Sequence, residues 1–192
     1  MAPSRRTLLV ALLTLPFVGI TQSPVAHAGP MPANIVGFGG VGTRLVRRFA
    51  AEQALPDRYF CALVDYEPLP DRVGPTTLES IGALPGPVEG PLVVVAGLGR
   101  LAGGELSRTW ARNFKLHNDN HPVRGVLVLP FEWEGKYRRK ALEQAALFEA
   151  EFDGVERIDN QALATNGSEL MRQFAARVDV LALRKIERAA NA

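Results

Sequence analysis

The sequence predicts an α/β protein of three layers, a mostly parallel sheet with helices on both faces. Short apolar runs alternate with longer stretches of helical periodicity from Ala33 onward. That alternation makes parallel strands joined by crossover helices. One run, Leu92 to Ala96, is apolar without a break, as a strand covered on both faces must be. Two of the strands also lead straight into glycine clusters that open helices.

In order, Ala33 to Val36 is a short first strand, followed at once by Gly37-Phe38-Gly39-Gly40-Val41-Gly42. From Thr43 to Gln53, Leu45, Val46 and Phe49 share one side while Arg44, Arg47 and Arg48 lie elsewhere, which is helical spacing. Tyr59 to Val64 is a second strand ending at Asp65. The Pro/Gly-rich stretch from Pro68 to Pro91 reads as loop. After the third strand, Leu92 to Ala96, comes Gly97-Leu98-Gly99-Arg100-Leu101-Ala102-Gly103-Gly104 and then a helix from Glu105 to about Leu116. Val123 to Leu129 is a fourth strand, Pro130 to Lys136 a turn, and Tyr137 to Phe152 a long amphipathic helix. Val155 to Ile158 is a short strand, and Ser168 to about Ala190 is the last helix.

Composition excludes several functions. The 22 basic and 20 acidic residues leave a net charge of +2, too balanced for a nucleic-acid-binding face. Cys61 is the only cysteine, so neither an intramolecular disulfide nor a cysteine metal cluster is available. His117 and His121 share a polar run with Asn118, Asp119 and Asn120; such runs are solvated turns far more often than metal sites, and no metal is expected.

The first residues form a separate unit. Arg5-Arg6, an apolar run from Leu8 to Ile20 and the small-x-small sequence Ala26-His27-Ala28 have the order of a signal peptide over residues 1–28. The paired arginines resemble a twin-arginine leader, although Val10 stands where that signal carries lysine. The run is too short, and too interrupted by Pro16 and Gly19, for a stable membrane span. Removal after Ala28 implies export to the periplasm; a start at Met31 implies a cytoplasmic protein. Residues 31–192 form the folded domain on either reading.

The first glycine cluster satisfies G-x-G-x-x-G between a strand and a helix. Glycines admit a phosphate close to the backbone, and the exposed N–H groups and helix dipole attract it. Asp65, ending the second strand, is where a dinucleotide domain holds its ribose. These features alone describe a Rossmann-type dinucleotide-binding fragment. A second glycine cluster after the third strand is not a Rossmann requirement, but suits a triphosphate cradled from two sides.

The turn Pro130-Phe131-Glu132-Trp133-Glu134-Gly135-Lys136-Tyr137-Arg138 is the specific element. It resembles that of the FtsZ/tubulin-like GTPases, where proline and phenylalanine precede an aromatic residue, Glu, Gly, Lys and then Arg. The resemblance is colinear from Ile35 to Leu181, through Gly37 to Gly42, Asp65, Ala96 to Gly104, this turn, Ile158-Asp159-Asn160 and Phe174 to Leu181. It implies GTP or GDP held across the carboxyl ends of the strands. Gly37, Gly39, Gly40 and Gly42 would form the first phosphate loop, Asp65 the second, and Gly97, Gly99, Gly103 and Gly104 the tubulin signature. Glu134 and Arg138 would reach sugar and phosphates, Asn160 the ribose and base, and Phe174 the base. The i, i+4 spacing of Glu134 and Arg138 also allows a plain surface ion pair.

The departures carry their own expectations. Arg100-Leu101-Ala102 replaces the hydroxyl-bearing signature, and Glu105 brings a negative charge near phosphate oxygens. The base-reading asparagine of the last helix is Val178, with Asp179 kept beside it, and Arg44 stands where the family has asparagine. The chain stops at Ala192, before the family's acidic loop. The resemblance therefore implies a degenerate module that binds a guanine nucleotide, has no catalytic residues of its own and is not expected to hydrolyse GTP in isolation. An FtsZ-like subunit or another protein is its expected partner.

Overall fold

The computed structural model describes residues 33–52, 59–69, 72–81, 90–118, 121–164 and 170–192. The leader at 1–28 and the alternative start at Met31 lie outside the described residues. Six strands form one sheet: β1 (Ala33–Phe38), β2 (Tyr59–Leu69), β3 (Arg72–Ile81), β4 (Leu92–Gly97), β5 (Val123–Leu129) and β6 (Gly154–Asp159). Their spatial order is β3-β2-β1-β4-β5-β6. All neighbours pair in parallel except β2 and β3, which are antiparallel.

The helices are α1 (Gly39–Glu52), α2 (Ser107–His117), α3 (Lys136–Glu151), the single turn α4 (Asn160–Leu163) and α5 (Met171–Asn191). A π-helical turn at Ala102–Leu106 runs into α2, and a 3-10 turn at Glu132–Glu134 precedes α3.

Packing follows from the apolar stripes. Leu45, Val46 and Phe49 of α1 and Phe174, Val178, Ala182 and Ile186 of α5 share one core with Ile35, Val93, Val95 and Val126. Ala111, Ala141, Ala145 and Phe148 of α2 and α3 share another with Val36, Phe38, Val94 and Leu127. These are the two faces of one sheet, since alternate residues of β1 and β4 point oppositely. Leu92 to Ala96 has no exposed surface at all, which is why its sequence shows no polar alternation. Ordering five parallel strands in this way requires helices on both faces.

The expectation of a loop from Pro68 to Pro91 is corrected. β2 continues to Leu69, and Arg72–Ile81 returns antiparallel to it. The turn formers hid a strand because its position tolerates them. β3 lies at the sheet edge, so Gly74 and Pro75 can sit where one side has no neighbouring strand among the described residues, and Pro68 stands at a register shift between Tyr66 and Pro68. Val73, Thr76, Thr77 and Ile81 supply the β-branched content. The short helix at Asn160–Leu163 was also not anticipated; Asp159 caps it by accepting from the Gln161 N–H.

Candidate functional site

From β1 the chain passes to β2 on one flank, and from β3 it crosses to β4 on the other flank of β1. Such a reversal opens a crevice at the carboxyl ends of the strands, where doubly wound sheets take their ligands. The two glycine clusters flank that crevice, one ending β1 and one ending β4.

The clusters are interlocked. A Cβ on Gly37 would stand 2.5 Å from the Gly42 carbonyl oxygen, and one on Gly42 would stand 2.1 Å from that of Val95. A Cβ on Gly97 would meet Val41 at 2.8 Å, and one on Gly103 would lie 1.9 Å from the Gly97 oxygen. Gly104 is closed by the Gln144 amide, 1.8 Å from its would-be Cβ. Gly99, at φ +94°, lies against the Tyr137 carbonyl and donates its N–H to Gln144 Oε1 at 2.8 Å. Each of these six glycines lets one backbone touch another element. Gly40 differs, since no atom of the described residues lies within 4 Å of its would-be Cβ. Gly39, at φ +67°, starts α1 and faces Ala102. The first turn of α1 holds no acidic residue, so its exposed N–H groups keep their attraction for an anion.

Arg138 reaches across the same edge. It donates to both carboxylate oxygens of Asp159 at 2.7 Å and to the Pro130 carbonyl at 2.8 Å. The Arg138 hydrogen bonds hold the Asp159 carboxyl below the ordinary carboxylate value, against the opposing effect of burial. Glu134 accepts from the Phe131 N–H at 3.0 Å, while its own N–H donates to the Phe131 carbonyl at 3.1 Å. The i, i+4 pairing of Glu134 with Arg138 is thus not formed. Each is held by a different part of the turn, and both remain on the carboxyl edge.

Phe174 is buried against Phe131, with ring centroids 5.1 Å apart, and the exposed Trp133 stacks on Phe131 at 5.3 Å. Asn160 follows β6 directly, and its side-chain oxygen is buried with no partner among the described residues. Asp65 does not end its strand: it pairs with Thr77 in the interior of the β2–β3 ladder. Glu105 forms an ion pair with Lys140 at 3.2 Å.

Charge is also paired where α1 meets α5. Asp179 is only 6% exposed, and Arg44 Nη1 donates to both of its oxygens, at 2.6 and 2.5 Å. Arg48 adds a contact at 3.3 Å. Both carboxylate oxygens of Asp179 are thus engaged by Arg44.

Sequence reasoning missed Gln144. It is 5% exposed and joins α3 to the second glycine cluster. A signal existed: Gln144 lies within the buried stripe of Ala141, Ala145 and Phe148, where a polar residue needs a reason.

These features define a doubly wound α/β fold with its crevice between β1 and β4, and comparison gives it a name: the fold is FtsZ/tubulin-like. CetZ from Methanosaeta thermophila strain DSM 6194 superposes with a TM-score of 0.62 at 17% identity, over 84% of this chain and 54% of that one. The FtsZ dimer of M. jannaschii gives 0.62 at 16% identity, over 96% and 57%. The GTPγS-bound protofilament of CetZ2 from Haloferax volcanii gives 0.61 at 19%, over 83% and 58%. The chain thus spans a little more than half the length of these proteins, and at such identities the likeness is one of fold. No protein-family model matches the sequence, and neither does any curated protein.

Proposed function

We propose that this chain is a guanine-nucleotide-binding module that takes GTP or GDP at the crevice between β1 and β4, does not turn GTP over alone, and acts by docking to another protein. The observation that carries this reading is the open approach at Gly40. Unlike the six packed glycines, it leaves the N-terminus of α1 clear of the described residues at the point where the sheet reverses. Phosphate binding there needs only backbone N–H groups and the helix dipole. Arg138 and Glu134, held on the same edge, would lie toward the sugar.

Slow or absent hydrolysis follows from the disposition of acids. Glu105 is paired with Lys140, Glu134 with the Phe131 N–H and Asp159 with Arg138. An acid so engaged is poorly placed to orient an attacking water. The Arg44–Asp179 contact supports weak discrimination among bases. A Rossmann-type dinucleotide fragment is the rival; Asp65 lies inside β2 and so serves neither reading as a strand-end acid, and melting with NAD decides between them.

Thermal melting with GDP, GTP, ADP and NAD tests the reading, since a ligand that binds only the folded state raises the midpoint. GDP and GTP are expected to raise it, ADP to do so nearly as well, and Gly40→Glu to abolish all three shifts. A rise with NAD alone would transfer the chain to the dinucleotide class. Steady phosphate release from GTP would overturn the non-hydrolysing assignment.

A further inference from the structure

The chain between β4 and α2 makes a small loop whose two ends touch. Leu98 is still tied to the sheet, its N–H donating to the Val128 carbonyl at 2.9 Å. Gly103 returns to the end of β4, where its would-be Cβ would lie 1.9 Å from the Gly97 oxygen. Beyond it, the buried Ser107 hydroxyl donates to the Gly103 carbonyl at 2.7 Å and fixes the start of α2. A loop closed at its base opens without disturbing the elements it joins. The part between the anchors is Gly99 to Ala102, of which Arg100 and Leu101 are exposed.

This part is fastened to α3 by a bond that is half made. The Gly99 N–H donates to Gln144 Oε1 at 2.8 Å. Gln144 is 5% exposed, and its Nε2 is buried without a partner among the described residues. The amide is also pressed against Gly104, with Nε2 1.8 Å from that glycine's would-be Cβ. A buried donor left unpaired works against the arrangement that buries it. Opening the loop brings water to both ends of the amide. The closed form is therefore held by one end of Gln144 and opposed by the other.

We propose that Gly99 to Ala102 is a strap that opens by itself, with Gln144 as its latch, and that the open form widens the approach to the first turn of α1. Ala102 adjoins that turn, 3.4 Å from the would-be Cβ of Gly39. The opening needs no ligand; only its consequence for nucleotide entry rests on the functional reading above.

Native-state hydrogen exchange of the whole chain, followed by residue through low denaturant, tests the strap. The Gly99 amide is expected to exchange through a local opening that hardly responds to denaturant, while the Val94 and Val95 amides of β4 exchange only with global unfolding. Gln144→Met keeps the length of the side chain but removes the acceptor. It should speed Gly99 exchange about tenfold relative to Val94 and Val95, a ratio that corrects for any loss of global stability. Gln144→Glu keeps an acceptor oxygen and should hold the ratio nearer to wild type than methionine does. A Gly99 amide that exchanges only together with β4 in the wild type would overturn the strap. A ratio unmoved by methionine would overturn Gln144 as the latch. Stopped-flow mixing with labelled GDP then reads the consequence: Gln144→Met should associate faster than wild type, and equal rates would remove the strap from entry. Failure of GDP to bind at all would sink the functional reading and the entry role with it, while the exchange result would still decide the strap.

Discussion

At the scale of single residues, the carboxyl edge is governed by how each charge finds its partner. Arg138 carries the most contacts, tying the carbonyl of Pro130 at the end of β5 to the carboxylate of Asp159 at the end of β6. The side chains are 14% and 30% exposed, so solvent screens them only in part. Removing the guanidinium would leave Asp159 with only the backbone N–H groups of Gln161 and Ala162, and Arg138→Ala is expected to cost about 1.5–3 kcal/mol. The sign with pH follows from the lowered carboxyl. A group whose pKa falls on folding stabilises the native state above its unfolded value, 3.8 for this aspartate, and that contribution is lost as pH drops through the folded value. Glu151, held down by Arg108 and Arg112, and Asp153, hydrogen-bonded by the Val123 N–H and Lys115, act in the same direction. Denaturant unfolding of wild type and Asp159→Asn from pH 7 to pH 2 checks this. The wild type should lose stability more steeply below about pH 4, and parallel curves would remove Asp159 from the account.

At the scale of elements, the glycine clusters couple α1 to β4 and the π-helical turn. The same residue type has opposite consequences within a few positions. Gly42→Ala would drive a methyl to 2.1 Å from the Val95 oxygen, where only backbone movement gives relief. It should cost several kcal/mol, at or beyond the usual range for overpacking of about 1–3. Gly40→Ala meets nothing within 4 Å and lies in a helical turn. It should be neutral or stabilising by up to about 1 kcal/mol, because alanine loses less entropy than glycine on folding. Chemical denaturation of the two variants side by side gives both signs in one experiment. A stabilised Gly42→Ala would mean that the contact between α1 and β4 is looser than its geometry.

At the scale of the whole molecule, the buried thiol of Cys61 reports on global opening. It sits on β2 paired with Ile35 of β1 and Ile81 of β3, 4% exposed, and burial pushes its pKa up to about 11. A neutral, covered thiol is inert, since the thiolate is the nucleophile. Alkylation at pH 8 should therefore be negligible in the native protein and rise with denaturant in step with the loss of circular dichroism. Rapid labelling of native protein would show that the β3 edge opens by itself.

The sequence by itself determined the layers, the strand-to-helix alternation and the carboxyl-edge location of the glycine clusters, because periodicity and β-branched runs are local properties of the chain. Even the burial of Leu92 to Ala96 on both faces was legible from its unbroken apolar run. Tertiary structure alone decided what the polar and glycine positions do. Whether a glycine receives a ligand or another backbone depends on what lies opposite, and here Val95, Gly97, Gln144 and Tyr137 occupy most of the clusters and leave Gly40 clear. Arg44 and Asp179 stand 135 residues apart, and nothing local announces that the first neutralises the second. Gly74 and Pro75 read as turn formers until the sheet order puts β3 at an edge, and Pro68 does so until the pairing puts it at a register shift. The reason is common to all three: a side chain's character is written in the sequence, but its partner is chosen by the fold.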